Sequence, residues 1–142
     1  MINDIIDGIS IKLHEIFGDS VQIYSESIKQ GFQEPCFFIK TLEGNKKNFI
    51  AGRYFRNNQF DIHYFPGTSE KNKEMIDILE QLYLNMEFIS LVNGDELYGH
   101  GLKHNIVDDV LHFFASYDMF VKNNKVVDID MQNVNIVQST KG

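Results

Sequence analysis

The chain has one cysteine, no tryptophan, two prolines and no long apolar run in 142 residues. A single cysteine, Cys36, rules out an intrachain disulfide and suits a reducing compartment. No apolar stretch approaches the ~20 residues that span a bilayer. The start, Met1-Ile2-Asn3-Asp4, lacks the basic and apolar segments of a secretory leader. The chain therefore reads as cytoplasmic, or as released from cytoplasm inside a particle, without a membrane partner. Basic residues are also few: 13 Lys and Arg against 20 Asp and Glu give a net charge of −7. Such a chain is poorly suited to gripping phosphates. An acidic wall would instead let DNA pass without adhering.

What is present is a ring-rich globular core. The apolar fraction is 43%, with twelve Phe and six Tyr. That is too apolar for a disordered chain, and the length fits one domain with a core that needs no metal or disulfide.

Periodicity gives the elements. Ile2, Ile5, Ile6, Ile9, Leu13, Ile16 and Phe17 recur at helical spacing, and Gly18 stops the pattern. Val21–Tyr24 reads as a short strand. The run from Cys36 to Leu42 reads as a strand covered on both faces. Glu43-Gly44-Asn45 is turn chemistry. From Arg53 to Phe65, Phe60, Ile62 and Tyr64 share one face, and Gln59, Asp61 and His63 share the other. Asn57-Asn58 reads as a bulge or tight turn in that strand. Thr68 or Ser69 is expected to cap a second helix, with Met75, Ile78, Leu79, Leu82 and Met86 as its buried stripe. Leu97–Asn105 alternates weakly. Val110–Val121 is a strong strand whose second face carries His112, Phe114, Ser116, Asp118 and Phe120.

The expected fold is α+β, a mostly antiparallel sheet of four to five strands with two helices on one face. Residues 1–121 form the domain. Residues 122–142 form a C-terminal strand or arm with a flexible end.

The candidate chemistry is thin. His100 and His104 are four apart, but Gly101 and a strand-like context keep them off a helical face, and nothing completes a tetrahedral set. Asp108-Asp109 near His112 reads as a solvated turn. Cys36, between Pro35 and Phe37-Phe38, reads as a buried thiol. Gly99-x-Gly101 has no helix after it and is no phosphate loop. No catalytic, metal or cofactor site is expected.

Charge is unevenly placed. Residues 40–56 carry Lys40, Lys46, Lys47, Arg53 and Arg56 against only Glu43, a net +4, while residues 1–39 sum to −4 and 57–142 to −7. Such an island is either a solvated hairpin or one half of a head-to-tail contact, and such contacts can close into rings. Lys46, Lys47, Arg53 and Arg56 are therefore candidate interface residues. Phe114 and Phe120 join them, as rings that a partner or the C-terminal arm would cover.

Three stretches carry a resemblance: Ile5-Ile6-Asp7-Gly8-Ile9, Gln33-Glu34-Pro35-Cys36-Phe37-Phe38-Ile39, and Arg53-Tyr54-Phe55-Arg56 running on through Phe60 to Pro66. Val110-Leu111-His112-Phe113-Phe114 through Tyr117 continues it. Together they resemble tail terminators of phages and phage-like elements (tailocins, defective prophages) of Gram-positive bacteria, across most of residues 2–121. The resemblance implies a virion protein, assembled in host cytoplasm, that forms a hexameric ring on the head-proximal end of the tail tube. It implies the tube protein as partner, the sheath protein in contractile tails, and a neck or connector protein above, with DNA passing through the lumen. It implies no catalytic residue. Two other readings are another head–tail connector or tail-completion protein, and a small enzyme or ligand-binding domain built on His63, His100, His104 or Asp108.

Overall fold

A computed structural model describes residues 2–25, 31–42, 45–48 and 52–122. The elements run α1 (Ile2–Phe17), β1 (Gln22–Tyr24), β2 (Cys36–Thr41), β3 (Asn45–Asn48), β4 (Arg53–Phe65), α2 (Lys71–Asn85), β5 (Phe88–Ser90), β6 (Glu96–Val107) and β7 (Val110–Lys122). The arm expected over 122–142 lies, beyond Lys122, outside the described residues. Among those residues no helix is long and apolar enough to cross a membrane.

The described residues divide into two compact units, 2–25, 31–42 and 58–117 in one, and 45–48, 52–57 and 118–122 in the other. In the second, β3 pairs antiparallel with the start of β4, setting Lys46 opposite Arg56 and Lys47 opposite Phe55.

The first unit holds the core. Its strands follow the path β1-β2-β4-β7-β6-β5, and β3 joins β4 off that path. The sheet is thus larger than the four to five strands expected. It is also mixed, because β1 runs parallel to β2. Alternation tells which face a side chain takes. It does not tell which neighbour a three-residue strand joins, or in which direction.

One face of the sheet is the floor of the core. Phe37 and Ile39 of β2 lie opposite Tyr64 and Ile62 of β4, and all four are buried. Leu111, Phe113, Ala115 and Tyr117 continue this floor on β7. α1 meets it through Phe17, 5.1 Å from Phe37 between ring centroids, and α2 through Tyr83, 5.2 Å from Phe113.

In α1, Ile5, Ile9 and Leu13 are completely buried. Each is worth roughly 1.5–3 kcal/mol of burial. That outweighs the few tenths of a kcal/mol an isoleucine costs in a helix. Gly8 faces β5, where a Cβ would sit 3.0 Å from the Ser90 carbonyl oxygen. The helix stops at Gly18, which takes φ +77° and donates its N–H to the His14 carbonyl at 2.8 Å.

Two local expectations are corrected. Asn57-Asn58 does not interrupt β4. Asn58 is buried and its amide donates to the Tyr117 carbonyl at 3.1 Å, which satisfies the group that looked like a turn signal. Neither Thr68 nor Ser69 caps α2 with its side chain. Glu70 is the N-cap residue and makes no side-chain cap. Glu74 reaches back instead, accepting from the backbone N–H of Gly67 and Thr68 at 2.9 Å each and from the Thr68 hydroxyl at 2.7 Å.

β6 and β7 form a hairpin closed by Asp108-Asp109, with Val107 opposite Val110. Both aspartates have positive φ, 52° and 61°. A two-residue turn with both φ positive prefers Asn-Gly. Replacing Asp108→Asn together with Asp109→Gly is therefore expected to stabilise the fold by about 1 kcal/mol, read as a higher urea midpoint at unchanged slope. An unchanged or lower midpoint would refute it. Further along β6 the register shifts between His100 and Lys103, where Gly101 takes φ +63°. Such a bulge bends the strand and raises its twist, which curls this part of the sheet.

Candidate functional site

The face of the sheet opposite the helices is not a plain polar surface. In β2 and β4, Phe38 lies opposite His63 and Lys40 opposite Asp61. At one end, rings of Tyr24, Phe32 and Phe65 stand 5.0–5.5 Å from Phe38, which is buried. Beyond them the face turns polar.

Asp61 and His63 are two apart on β4, so both point to this side. His112 points to the same side from the neighbouring strand β7. The Asp61 carboxylate, 9% exposed, has Oδ2 3.0 Å from His112 Nδ1 and 3.2 Å from His63 Nε2. The two imidazole centroids are 4.5 Å apart. His63 Nε2 is buried and makes no hydrogen bond among the described residues. Burial pushes the His63 pKa down; Asp61 pulls it up, while His112 and Lys40 push it down, and the net shift is downward. The His63 ring and the Asp61 carboxyl group thus face each other in a partly dry site. Along the same strand Phe114 is half-buried, with the Lys103 ammonium 5.7 Å above its ring, a cation–π contact. Next to it lies a cavity of about 390 Å³ lined by Leu42, Gln59, His100, Lys103 and Ser116 among others.

His63, His100, His104 and Asp108, the residues of the enzyme or ligand-binding alternative, do not converge. His104 Nδ1 is hydrogen-bonded with the Tyr83 hydroxyl at 2.9 Å, His100 lines the cavity, and Asp108 is in the hairpin turn. The cluster that does form, Asp61–His63–His112, was in plain sight as strand parity. Alternation sets Asp61 with His63, and His112 with Phe114, on the second face of their strands. The missing fact was that β4 and β7 are neighbours. Cys36 is buried, and burial with the Glu34 charge raises its pKa to about 11. At neutral pH it is a thiol and not a nucleophile.

Of the interface candidates, Lys46 is exposed and Arg56 half-buried, directly opposite one another on β3 and β4. Lys47, Arg53 and Phe120 have their backbones in strands, but their side chains lie outside the described residues.

No curated protein sequence matches the chain. A family profile described as phage tail terminator protein matches residues 4–129. That family consists of structural proteins of the virion tail, which act in tail completion and contact other tail proteins. The match spans most of the chain, from α1 through β7, and the chain belongs to the phage tail terminator family.

Proposed function

We propose that this protein caps the head-proximal end of a phage or tailocin tail tube as a hexameric ring, ends tube polymerisation and presents the neck-facing surface. The observation that carries the reading is the family match over residues 4–129. Charge supports it. The acidic balance, −7 overall, suits a lumen through which DNA slides without sticking. In this reading residues 1–121 are the body of each subunit and 122–142 an arm that docks on assembly. The partners are further copies of the chain, the tube protein, the sheath protein where the tail contracts, and a neck protein above. Assembly takes place in the host cytoplasm.

The test is reconstitution. Purified chain mixed with polymerising tube protein should give sixfold rings on one tube end by electron microscopy, and tubes that stop growing from that end. Chain that binds only between capsid and neck would make it a different joining protein.

The ring contact is proposed to run through the basic island. Lys46, Lys47, Arg53 and Arg56 share the β3–β4 ribbon and would meet an acidic surface of the next copy, with Phe114 and Phe120 as further candidates for a covered surface. Arg53→Glu with Arg56→Glu is expected to abolish rings at tube ends while circular dichroism stays that of the folded chain. Normal capping by this variant would remove the island from the interface.

A further inference from the structure

Tail completion gives no reason to bury a carboxylate between two imidazoles. An ionised group taken out of water is costly unless it is paired, and an apolar side chain at position 61 would pack against its neighbours with no such cost. The pairing here is also incomplete. Asp61 Oδ2 has a hydrogen-bond partner in His112 Nδ1 at 3.0 Å. His63 Nε2, 3.2 Å from the same oxygen, makes no hydrogen bond among the described residues although it is buried. A nitrogen and a carboxylate oxygen this close need a cation between them, either a proton or a metal ion.

The spacing is that of metal ligands. One donor atom from each of Asp61, His63 and His112 lies within 4.8 Å of the others. Bonds of about 2.0–2.1 Å at tetrahedral angles put adjacent ligand atoms roughly 3.3 Å apart around a zinc ion. The two edges from Asp61 Oδ2, 3.0 and 3.2 Å, are close to that, and the His63–His112 edge lies within 4.8 Å. The three side chains come from adjacent strands, so no loop has to order before they can bind.

We propose that Asp61 Oδ2, His63 Nε2 and His112 Nδ1 bind a divalent transition-metal ion of the zinc class, with water in the fourth position. Two imidazoles and one carboxylate suit zinc, cobalt or nickel, whereas magnesium and calcium take oxygen ligands. Lys40 works against the site, because it stands opposite Asp61 and its charge acts on His63. With only three protein ligands and that charge nearby, affinity falls short of a four-ligand structural zinc site. The proposal does not depend on ring formation.

The full chain is titrated with Co²⁺, followed by its visible absorption, and then competed with Zn²⁺. One Co²⁺ per chain with the intense bands of tetrahedral coordination is expected. In imidazole-detected NMR of the unmodified chain, Zn²⁺ should move the signals of His63 and His112 and leave His104 in place. His63→Gln and His112→Gln should each weaken Co²⁺ binding at least about 100-fold, taking the 10–100-fold cost of losing an outer-shell partner as the lower bound. His104→Gln should leave it unchanged. Absence of saturable uptake overturns the site, as does uptake that leaves the His63 and His112 signals unmoved. The NMR arm decides the matter even if the glutamine variants do not fold.

Discussion

Gly99→Ala is expected to cost about 2 kcal/mol, lowering the melting temperature by roughly 5–10 °C. The reason is a three-way contact inside the first unit. Gly99 of β6 lies opposite Tyr117 of β7, whose ring is fully buried. A Cβ at position 99 would stand 2.8 Å from Tyr117 Cε1 and 2.9 Å from the Met86 carbonyl oxygen. Neither neighbour can yield. The Tyr117 hydroxyl donates to that same carbonyl at 2.6 Å, and the Gly99 N–H donates to the Glu87 carbonyl at 2.6 Å. Moving the ring breaks the first bond, and moving the strand breaks the second. Alanine gains roughly 0.5–1 kcal/mol from its narrower backbone freedom. Overpacking a tight core costs roughly 1–3 kcal/mol and more where the neighbours are pinned. The steric term therefore wins. Combining Gly99→Ala with Tyr117→Leu should cost less than the two single changes together, because the smaller side chain opens the space. Additive costs would show that the ring is not what Gly99 accommodates.

This glycine also shows what the sequence could and could not reveal. As letters, Gly99-x-Gly101 suggested only a bare and uninformative motif. Its meaning lies in Tyr117, eighteen residues on, and depends on the β6–β7 register. Where a signal is local and strong, it was legible. The stripe of Ile5, Ile9 and Leu13 and the stop at Gly18 define α1, and the alternation of Phe60, Ile62 and Tyr64 defines the core face of β4. β3 and β5 were missed for a physical reason. Asn45–Asn48 is entirely polar, and Phe88–Ser90 is too short to show a period. What makes each a strand is a partner, β4 or β6, supplied by tertiary pairing. The parallel β1–β2 pairing was hidden in the same way.

The site follows the same logic. Buried Cys36 and the turn at Asp108-Asp109 could be read from immediate neighbours. Asp61, His63 and His112 could not be joined without knowing that β4 abuts β7, because residues 61 and 112 are 51 positions apart. The pair His100 and His104, close in sequence, is not part of that cluster. The bulge at Gly101 lies between them, and Tyr83 holds His104.

Glu74→Gln is expected to destabilise the chain by about 2–3 kcal/mol at pH 7, roughly 10 °C in melting temperature, and by less once the pH falls through the lowered Glu74 value. Glu74 closes the link between β4 and α2. Its carboxylate accepts from the Tyr64 hydroxyl at 2.5 Å, from the N–H groups of Gly67 and Thr68, and from the Thr68 hydroxyl. Four donors converge on two oxygens. Glutamine keeps one oxygen and turns an amide group toward donors, so at least one N–H or O–H loses its acceptor. Bonds to a charged acceptor are worth roughly 1.5–3 kcal/mol, and an unsatisfied donor adds its own cost. Burial pushes the Glu74 pKa up, but the bonds from Tyr64, Thr68 and Gly67 outweigh it, and the net value lies below the ordinary 4.5. A carboxyl depressed by folding stabilises the native state above its unfolded pKa. That stability is lost as pH falls through the lower, folded value. Below that pH the native Glu74 is itself neutral, and the variant no longer differs from it in charge. Thermal melts of both proteins from pH 7 downward make the comparison. A gap that stays constant down to the acid limit of the fold would mean that packing, and not the carboxylate charge, sets the cost of the substitution.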